Sequence, residues 1–264
     1  MLILHPQRAP LKTLRQKQAL NVVITGGSRG FGRAMIKEFA KKDNVFIVSR
    51  SIDDVNRLKQ EYSVNGSECD IRYSEQVSEM VSRATSFFNN NIDIFINNAG
   101  VSCGSANFID LSIENIAEII DANLTGTVMC CKEVHNVMAN SITGGSIFNV
   151  IGAGSNGTAT PLFPVYGATK AGVAQFTKTL NREWRGGVVD IHTVSPGLMA
   201  TPLLMNNLPS DVVRRVLPFC TSPEIVAKAL VPQIRRAHLH AREGTCIKYL
   251  TVPKIIGRLI TSQM

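Results

Sequence analysis

Two residues whose types suit proton transfer to a carbonyl oxygen, Tyr166 and Lys170, stand four positions apart. Residues at this spacing lie on one face of an α-helix. Because an ammonium favours a neighbouring phenolate, we expect the pKa of Tyr166 to lie below its usual value of about 10. Such a phenol can protonate a carbonyl oxygen near neutral pH. The pair also occurs by chance on solvated helix faces, so a catalytic interpretation requires a nucleotide site elsewhere in the chain.

A glycine-rich turn upstream predicts that nucleotide site. The apolar run 21–25 reads as a buried strand, and an amphipathic helix is expected over 33–41. Between them, Gly26 permits a tight turn, Gly30 lets the backbone approach a pyrophosphate, and Gly32 allows close helix packing. The helix N-terminus then offers free N–H groups to phosphate. The alternative is an ordinary glycine-rich turn between a strand and a helix.

Two arginines indicate which dinucleotide would bind. An acid at the end of the second strand, predicted at 44–50, would accept a hydrogen bond from the ribose 2′-hydroxyl of NAD, but this residue is Arg50. Together with Arg29 in the glycine turn, it favours a 2′-phosphate and therefore NADP(H). The alternative for both is an ordinary surface charge. Asp70 ends the third strand and is placed either to accept from the adenine amino group or to cap a turn.

Further strands and helices alternate along the rest of the chain. Asn123 lies inside a predicted helical stretch, 113–138, read as one helix or two in register. Since asparagine is a poor helix former, we expect either a kink whose freed carbonyl holds a water, or a solvated side chain. The loop at 198–220 is rich in Met, Leu and Pro, and it either covers an apolar substrate or packs as a small core. The remaining predicted elements are helices at 53–62, 74–88, 165–184 and 223–238 and strands at 92–96, 145–151, 188–194 and 246–250.

Composition limits the class of protein. A chain of 264 residues fits one large domain, and no apolar run reaches the roughly 18 residues of a membrane span. A net charge of +8 suits an anionic ligand or an acidic membrane surface, while no nucleic-acid-binding pattern appears. The six cysteines lack metal-binding spacing, so no metal site is expected, and they read as buried free thiols in a reducing compartment.

Both termini are basic. Residues 1–20 contain no acid and are interpreted as a flexible arm or as the remnant of an organelle transit segment. The central domain is expected over 21–251. The tail, 252–264, is basic and apolar, and it either rests on a membrane surface or packs against the domain.

Taken together, these motifs resemble the short-chain dehydrogenase/reductase superfamily, in its order and spacing over about residues 20–250. The resemblance implies an α/β, Rossmann-like, doubly wound parallel sheet with helices on both faces in a single domain. It also implies hydride transfer from a bound nicotinamide dinucleotide. Tyr166 would be the general acid/base, Lys170 would bind the nicotinamide ribose and lower the pKa of Tyr166, and Asn123 would anchor a proton-relay water. The expected cofactor-binding residues are Thr25, Gly26, Ser28, Arg29, Gly30, Phe31, Gly32, Arg50, Asp70, Asn98, Ala99, Gly100, Tyr166, Lys170, Pro196, Gly197 and Thr201.

One position departs from the family pattern. The family places a serine about thirteen residues before the tyrosine to hold the substrate oxygen, and Ala153 stands there. The nearest hydroxyl is that of Ser155. Either a shifted loop brings Ser155 to the substrate as a fourth catalytic residue, or the serine role is vacant. In the second case Tyr166 and a backbone N–H would share the work.

A closer resemblance is to the chlorophyll(ide) b reductases. It rests on these segments: 148–149, 152–155, 160–162, 165–170, 223–227, 230–234 and 249–253. It implies NADPH-dependent reduction of the 7-formyl group of chlorophyll(ide) b in chlorophyll breakdown, in the chloroplast stroma or at the thylakoid surface. NADH remains an alternative cofactor. The expected partners are an apolar pigment, a membrane surface contacted peripherally, and further subunits of this chain or a related reductase. The alternatives are reduction of another apolar carbonyl, on a steroid, quinone or lipid, and a dinucleotide-binding scaffold with little turnover.

Overall fold

A single parallel sheet carries the fold. The computed structural model describes residues 19–240 and 244–249, and within these residues seven strands pair in the order β3-β2-β1-β4-β5-β6-β7, every pair parallel. The strands are β1 Asn21–Thr25, β2 Asn44–Ser49, β3 Asn65–Glu68, β4 Ile94–Asn97, β5 Gly145–Val150, β6 Val189–Ser195 and β7 Cys246–Lys248. The direction of winding reverses between β1 and β4. In such sheets ligands bind at this reversal, beyond the carboxyl ends of the strands.

Helices connect the strands. They are α1 Gly30–Phe39, α2 Ile52–Tyr62, α3 Ser74–Phe87, α4 Ile113–Ile120, α5 Gly126–Ala139, α6 Pro164–Glu183, α7 Pro202–Met205, α8 Ser210–Val216 and α9 Pro223–His240. Short 3₁₀ turns occupy Phe108–Asp110 and Leu217–Phe219, and a π-helical turn occupies Asp121–Thr125. No described helix combines the length and the apolar character that crossing a bilayer requires.

Two apolar cores cover the two faces of the sheet. Val22 and Ile24 of β1 pack with residues of α1, α2 and α9, whereas Val23 points to the other side and packs with α3 and α5. Strands covered on both faces are buried along their length, which explains why they read as continuous apolar runs. The predicted α/β fold, a doubly wound parallel sheet with helices on both faces, is confirmed.

Element boundaries differ from the sequence pattern where the pattern carries no signal. Helix α1 begins at Gly30 and not at Arg33, because the first turn of a helix needs no side-chain periodicity. The third strand ends at Glu68, so Asp70 lies in the turn beyond it. The stretch predicted as helix over 113–138 is interrupted by the π-helical turn at Asp121–Thr125.

The terminal predictions fall largely on residues that the structure does not describe, namely 1–18 and 250–264. Leu20, at the end of the expected arm, is fully buried, and its N–H donates to the Asp43 carboxylate at 2.9 Å. The folded domain therefore begins by Leu20. The basic tail, 252–264, lies outside the described residues.

The cysteines are all free thiols in the described part of the chain. Cys69, Cys130 and Cys131 are buried, as expected. Cys246 is exposed in β7, the last strand of the described sheet, and Cys103 and Cys220 are half-buried. The prediction of buried thiols is therefore wrong for Cys246 and holds only in part for Cys103 and Cys220.

Candidate active site

Bare backbone forms the floor of a groove at the reversal between β1 and β4. A Cβ atom added at Gly26 would lie 2.7 Å from the Cα atom of Ala99, and one at Gly32 would lie 2.2 Å from the carbonyl oxygen of Gly26. Gly26 and Gly30 also have positive φ angles of 66° and 54°, which side chains disfavour. The glycines thus create a turn that brings N–H groups and a helix N-terminus close to a bound anion.

A threonine and an asparagine fix this turn against the end of β4. The Thr25 hydroxyl oxygen accepts from the N–H groups of Asn98 and Ala99, both at 3.1 Å. The Asn98 amide donates to the carbonyl oxygens of Thr25 and Gly26, both at 3.0 Å. Thr25 is fully buried and lies outside the residues that line the groove. Its contacts shape the groove, whereas the prediction expects it at the cofactor.

The groove opens into a cavity of about 1010 Å³. Ligand pockets usually measure about 300–1,000 Å³, so this cavity is at the upper end of that range. Of the residues that the sequence assigns to the site, sixteen line this cavity: Gly26, Ser28, Arg29, Gly30, Phe31, Gly32, Arg50, Asp70, Asn98, Ala99, Gly100, Tyr166, Lys170, Pro196, Gly197 and Thr201. The bare-backbone cradle and the cations beside it fit a nicotinamide dinucleotide.

Charged side chains surround the end of the cavity formed by β2 and β3. Arg29 is exposed in the glycine turn, and the Arg50 guanidinium lies 3.4 Å from the Glu118 carboxylate of α4. The Asp70 carboxylate accepts three hydrogen bonds from the Arg72 guanidinium, the shortest at 2.6 Å, and one from the backbone N–H of Arg72 at 3.1 Å. Although burial opposes it, these contacts hold the pKa of Asp70 below its usual value. Asp70 thus caps a turn, as one of its two sequence-based interpretations expects, and because it also lines the cavity its hydrogen bond to adenine stays a prediction.

Tyr166 and Lys170 face the cavity from α6. The Lys170 ammonium is buried, donates to the Val150 carbonyl oxygen at 3.0 Å and lies 5.7 Å from the centre of the Tyr166 ring. Burial lowers the pKa of Lys170 to about 8 and raises the pKa of Tyr166 to about 12. The expectation that the lysine lowers the tyrosine pKa is wrong for the cofactor-free protein, because loss of solvent outweighs the charge at this distance.

Gly152 lies against the Tyr166 hydroxyl. A Cβ atom at this position would be 2.5 Å from the phenolic oxygen. Counting thirteen residues back from Tyr166 selects Ala153, which lines the same cavity as Gly152 and carries no hydroxyl. Ser155 lies outside the large cavity and lines a second one of about 630 Å³. The structure therefore does not support the hypothesis that a shifted loop brings Ser155 to the large cavity, because Ser155 lines only the second one.

Asn123 lies in the π-helical turn and is fully buried. Its side chain accepts from the Val101 N–H at 2.8 Å, donates to the Val101 carbonyl at 3.0 Å and approaches the Thr169 hydroxyl at 3.3 Å. The expected local irregularity is present, but the Asn123 carbonyl oxygen accepts from the Thr127 hydroxyl at 2.9 Å. In this structure Asn123 fixes the loop that follows β4 beside α6, and it does not line the large cavity.

Apolar residues line the end of the cavity beyond Tyr166. They come from the loop before α6 and from α7, α8 and their connections: Pro161, Leu162, Phe163, Leu198, Met199, Leu203, Leu204, Leu208, Val212 and Val216. The loop after β4 ties these segments together, since the Ser105 N–H donates to the Asn207 carbonyl at 2.8 Å and the Ala106 N–H to Leu162 at 3.2 Å. The predicted Met/Leu/Pro-rich loop therefore contributes an apolar wall next to the phenol.

Three features of the site escape sequence reasoning. Glu118 gives no local signal, because it reads as a polar position of a surface helix. The Val150 carbonyl that holds Lys170 is a backbone group and has no sequence signature. Gly152 stands in a run of small residues, and this run is the one available hint that a close contact occurs there.

Comparisons with known proteins agree with this geometry. Residues 20–211 match the family model of the short chain dehydrogenases. The probable chlorophyll(ide) b reductase NYC1 of Oryza sativa subsp. japonica is 37% identical over 92% of this chain and 52% of its own length. The chlorophyll(ide) b reductase NOL of the same organism is 38% identical over 91% of this chain and 74% of its own length. The names of both relatives describe them as chloroplastic. This chain thus spans about half the length of the NYC1 relative.

Solved structures show the same fold. The 3-ketoacyl-(acyl-carrier-protein) reductase of Brucella melitensis, complexed with NADH, has a TM-score of 0.75 and 26% identity over 86% of this chain and 95% of its own. A serine dehydrogenase complexed with NADP⁺ has a TM-score of 0.75 and 26% identity over 88% of this chain and 95% of its own. Related structures therefore occur with either dinucleotide.

Proposed function

Because the chain belongs to the short-chain dehydrogenase family, we propose that it is an NAD(P)H-dependent oxidoreductase that reduces an aldehyde on a large apolar substrate. The observation that carries this proposal is one shared cavity. Its floor is the glycine cradle, its side carries Tyr166 and Lys170, and its far end is apolar. A dinucleotide and an apolar carbonyl compound can meet there beside a proton donor.

Tyr166 and Lys170 have different roles in the proposed carbonyl reduction. A bound reduced nicotinamide supplies the hydride that adds to the carbonyl carbon. Tyr166, with a pKa of about 12, is protonated at neutral pH and donates its proton to the oxygen, which becomes an alcohol. Lys170 would bind the nicotinamide ribose through its ammonium. The positive charge also stabilises the phenolate that remains after the proton has left.

Asn123 has a positioning role in this proposal. It holds Val101 through two backbone hydrogen bonds and thereby fixes the loop that connects the cofactor groove with the apolar wall. Thr25 and Asn98 act similarly on the glycine turn. Precise positioning matters because a shift of about 1 Å in a reacting group can cost about 10²-fold in rate.

We propose NADPH as the preferred cofactor. The residue after β2 is Arg50, and Arg29 stands in the glycine turn on the same cavity. A 2′-phosphate would find two guanidiniums, whereas the 2′-hydroxyl of NADH would lack the acidic acceptor that usually binds it. NADH is the alternative.

For the substrate we propose the 7-formyl group of chlorophyll(ide) b, reduced to a hydroxymethyl group in the chloroplast. The similarity to the NYC1 and NOL proteins supports this substrate class and this location. The apolar wall formed by residues such as Leu203, Leu208 and Val212 suits a macrocycle. Contact with a membrane and assembly with further subunits stay predictions.

One observation favours a second candidate, a dinucleotide-binding scaffold with little turnover. Gly152 lies against the Tyr166 hydroxyl, and because glycine has no side chain, this position offers no hydroxyl to a substrate oxygen. In the reductase proposal Tyr166 and backbone N–H groups take over this role.

The deciding experiment offers purified protein NADPH together with chlorophyllide b, a ketosteroid or a quinone, and the product is identified by its absorption spectrum and mass. We expect a 7-hydroxymethyl product with chlorophyllide b. The variant Tyr166→Phe should lose nearly all turnover while its NADPH dissociation constant stays within about twofold of that of the parent protein, because the ring remains and only the proton donor is lost. Reduction of another carbonyl compound alone would overturn the substrate. NADPH binding without any oxidation would favour the scaffold.

A further inference from the structure

We propose that Glu118 is a specificity-determining residue for the cofactor. It engages Arg50 when no dinucleotide is bound, and its charge weakens the preference for a nucleotide with a 2′-phosphate. This inference rests on the proposed binding of a nicotinamide dinucleotide and deepens it. Glu118 is an acidic residue from an element far away in the sequence, and it lies beside Arg50, which is expected to bind the phosphate.

The geometry brings Glu118 to the arginine end of the cavity. Glu118 lies on α4, and its Oε1 atom is 3.4 Å from Nη1 of Arg50 and 3.9 Å from Nη1 of Arg72. Arg72 is held more tightly by Asp70, at 2.6 Å. Arg50 lines the cavity, whereas Glu118 is not among the residues that line it. The nearest counter-ion of the proposed phosphate-binding arginine is therefore a carboxylate of this chain.

The contact is long enough to be released. Charge-assisted N–H···O bonds are usually about 2.7–2.9 Å long, so a separation of 3.4 Å indicates a weak interaction. The side chains of Arg50 and Glu118 are 50% and 35% exposed, which screens their attraction. Orientation of Arg50 by Glu118 thus contributes little, and a dianionic phosphate can take over the guanidinium.

The charge of Glu118 has the larger effect. After a 2′-phosphate binds Arg50, the carboxylate remains beside it, and the two anions repel each other. NADH has no group of this kind at the 2′ position. Removal of the negative charge should therefore strengthen binding of NADPH selectively. Because a single charge acts on a dianion in a partly solvated site, we expect its removal to lower the NADPH dissociation constant about three- to tenfold.

The test compares Glu118→Gln with the parent protein in equilibrium titrations of NADPH and of NADH at low and high salt. We expect the NADPH dissociation constant to fall about three- to tenfold at low salt and less at high salt, and the NADH constant to stay within about twofold. Glu79→Gln is the matched control, because Glu79 forms an exposed ion pair with Arg83 on α3, outside the residues lining the cavity. This control should bind both nucleotides like the parent protein.

A double variant tests whether the effect of Glu118 on NADPH binding depends on Arg50. In an Arg50→Gln background, Glu118→Gln should change NADPH binding less than it does in the parent protein, because the phosphate no longer sits beside Glu118. Equal changes for NADPH and NADH, or weaker NADPH binding by Glu118→Gln, would overturn the role of Glu118 and leave the proposed function standing. Binding of neither nucleotide by the parent protein would refute the proposed function and this inference with it.

Discussion

Gly152→Ala tests whether the proton donor is placed by the absence of a side chain. The added methyl carbon would lie 2.5 Å from the Tyr166 hydroxyl oxygen, whereas ordinary contacts begin near 3.4 Å. The nearest atom belongs to the far end of the tyrosine and not to backbone. We therefore expect the phenol to shift while the loop and the fold persist.

The magnitude follows from the required displacement. The phenolic oxygen must move by about 0.9 Å to restore normal contact, and a misplacement of about 1 Å can cost about 10²-fold in rate. We expect kcat for aldehyde reduction to fall about 30- to 100-fold, which corresponds to roughly 2–2.7 kcal/mol of activation free energy. NADPH binding should change less than about twofold, because the glycine cradle lies on a different loop.

The assay is steady-state reduction of chlorophyllide b by NADPH, combined with cofactor titration and thermal unfolding. Gly172→Ala serves as the control, because its methyl group would meet only the end of the Leu124 side chain, at 3.3 Å, elsewhere on α6. This variant should retain most of the activity of the parent protein. Wild-type kcat in a folded Gly152→Ala protein would refute the reasoning, because it would show that the position of the hydroxyl does not depend on Gly152.

Two further predictions concern the charge of the lysine and the second cavity. Burial lowers the pKa of Lys170 to about 8, whereas Tyr166 stays protonated up to about pH 12. Because the Lys170 ammonium loses its proton above about pH 8, kcat/KM should fall above that pH. A pH profile that stays flat to pH 10 would contradict the role of the ammonium. Ser155→Ala should leave kcat within about twofold of the parent value, since Ser155 faces the other cavity; a loss of tenfold or more, measured in the same assay, would place its hydroxyl at the substrate.

The groove was predictable because its requirements are local. Gly26, Gly30 and Gly32 follow a strand and open a helix, and this spacing is typical of a turn that binds a dinucleotide. The structure accordingly places all three on one cavity. The position of Lys170 beside Tyr166 was predictable from helical periodicity for the same reason. The tyrosine pKa was not, because desolvation depends on what the rest of the chain packs around the ring.

Ser155 shows where sequence distance misleads. A count of residues through a loop of small residues does not reveal which of them faces the tyrosine, because each glycine can reverse the direction of the chain. Gly154, with a φ of 85°, is such a position, and beyond it Ser155 points to the second cavity. Gly152 meets the hydroxyl instead.

The sequence by itself determined the order of strands and helices, the glycine cradle and the placement of Tyr166 and Lys170 on one helix face, since these depend on local patterns of residue type and spacing. Only the tertiary structure decided that Glu118 meets Arg50, that Asn123 holds Val101, and that burial raises the pKa of Tyr166. These properties depend on distances between segments far apart in the chain. Such distances are set by the packing of helices on both faces of the sheet, and no local pattern encodes them.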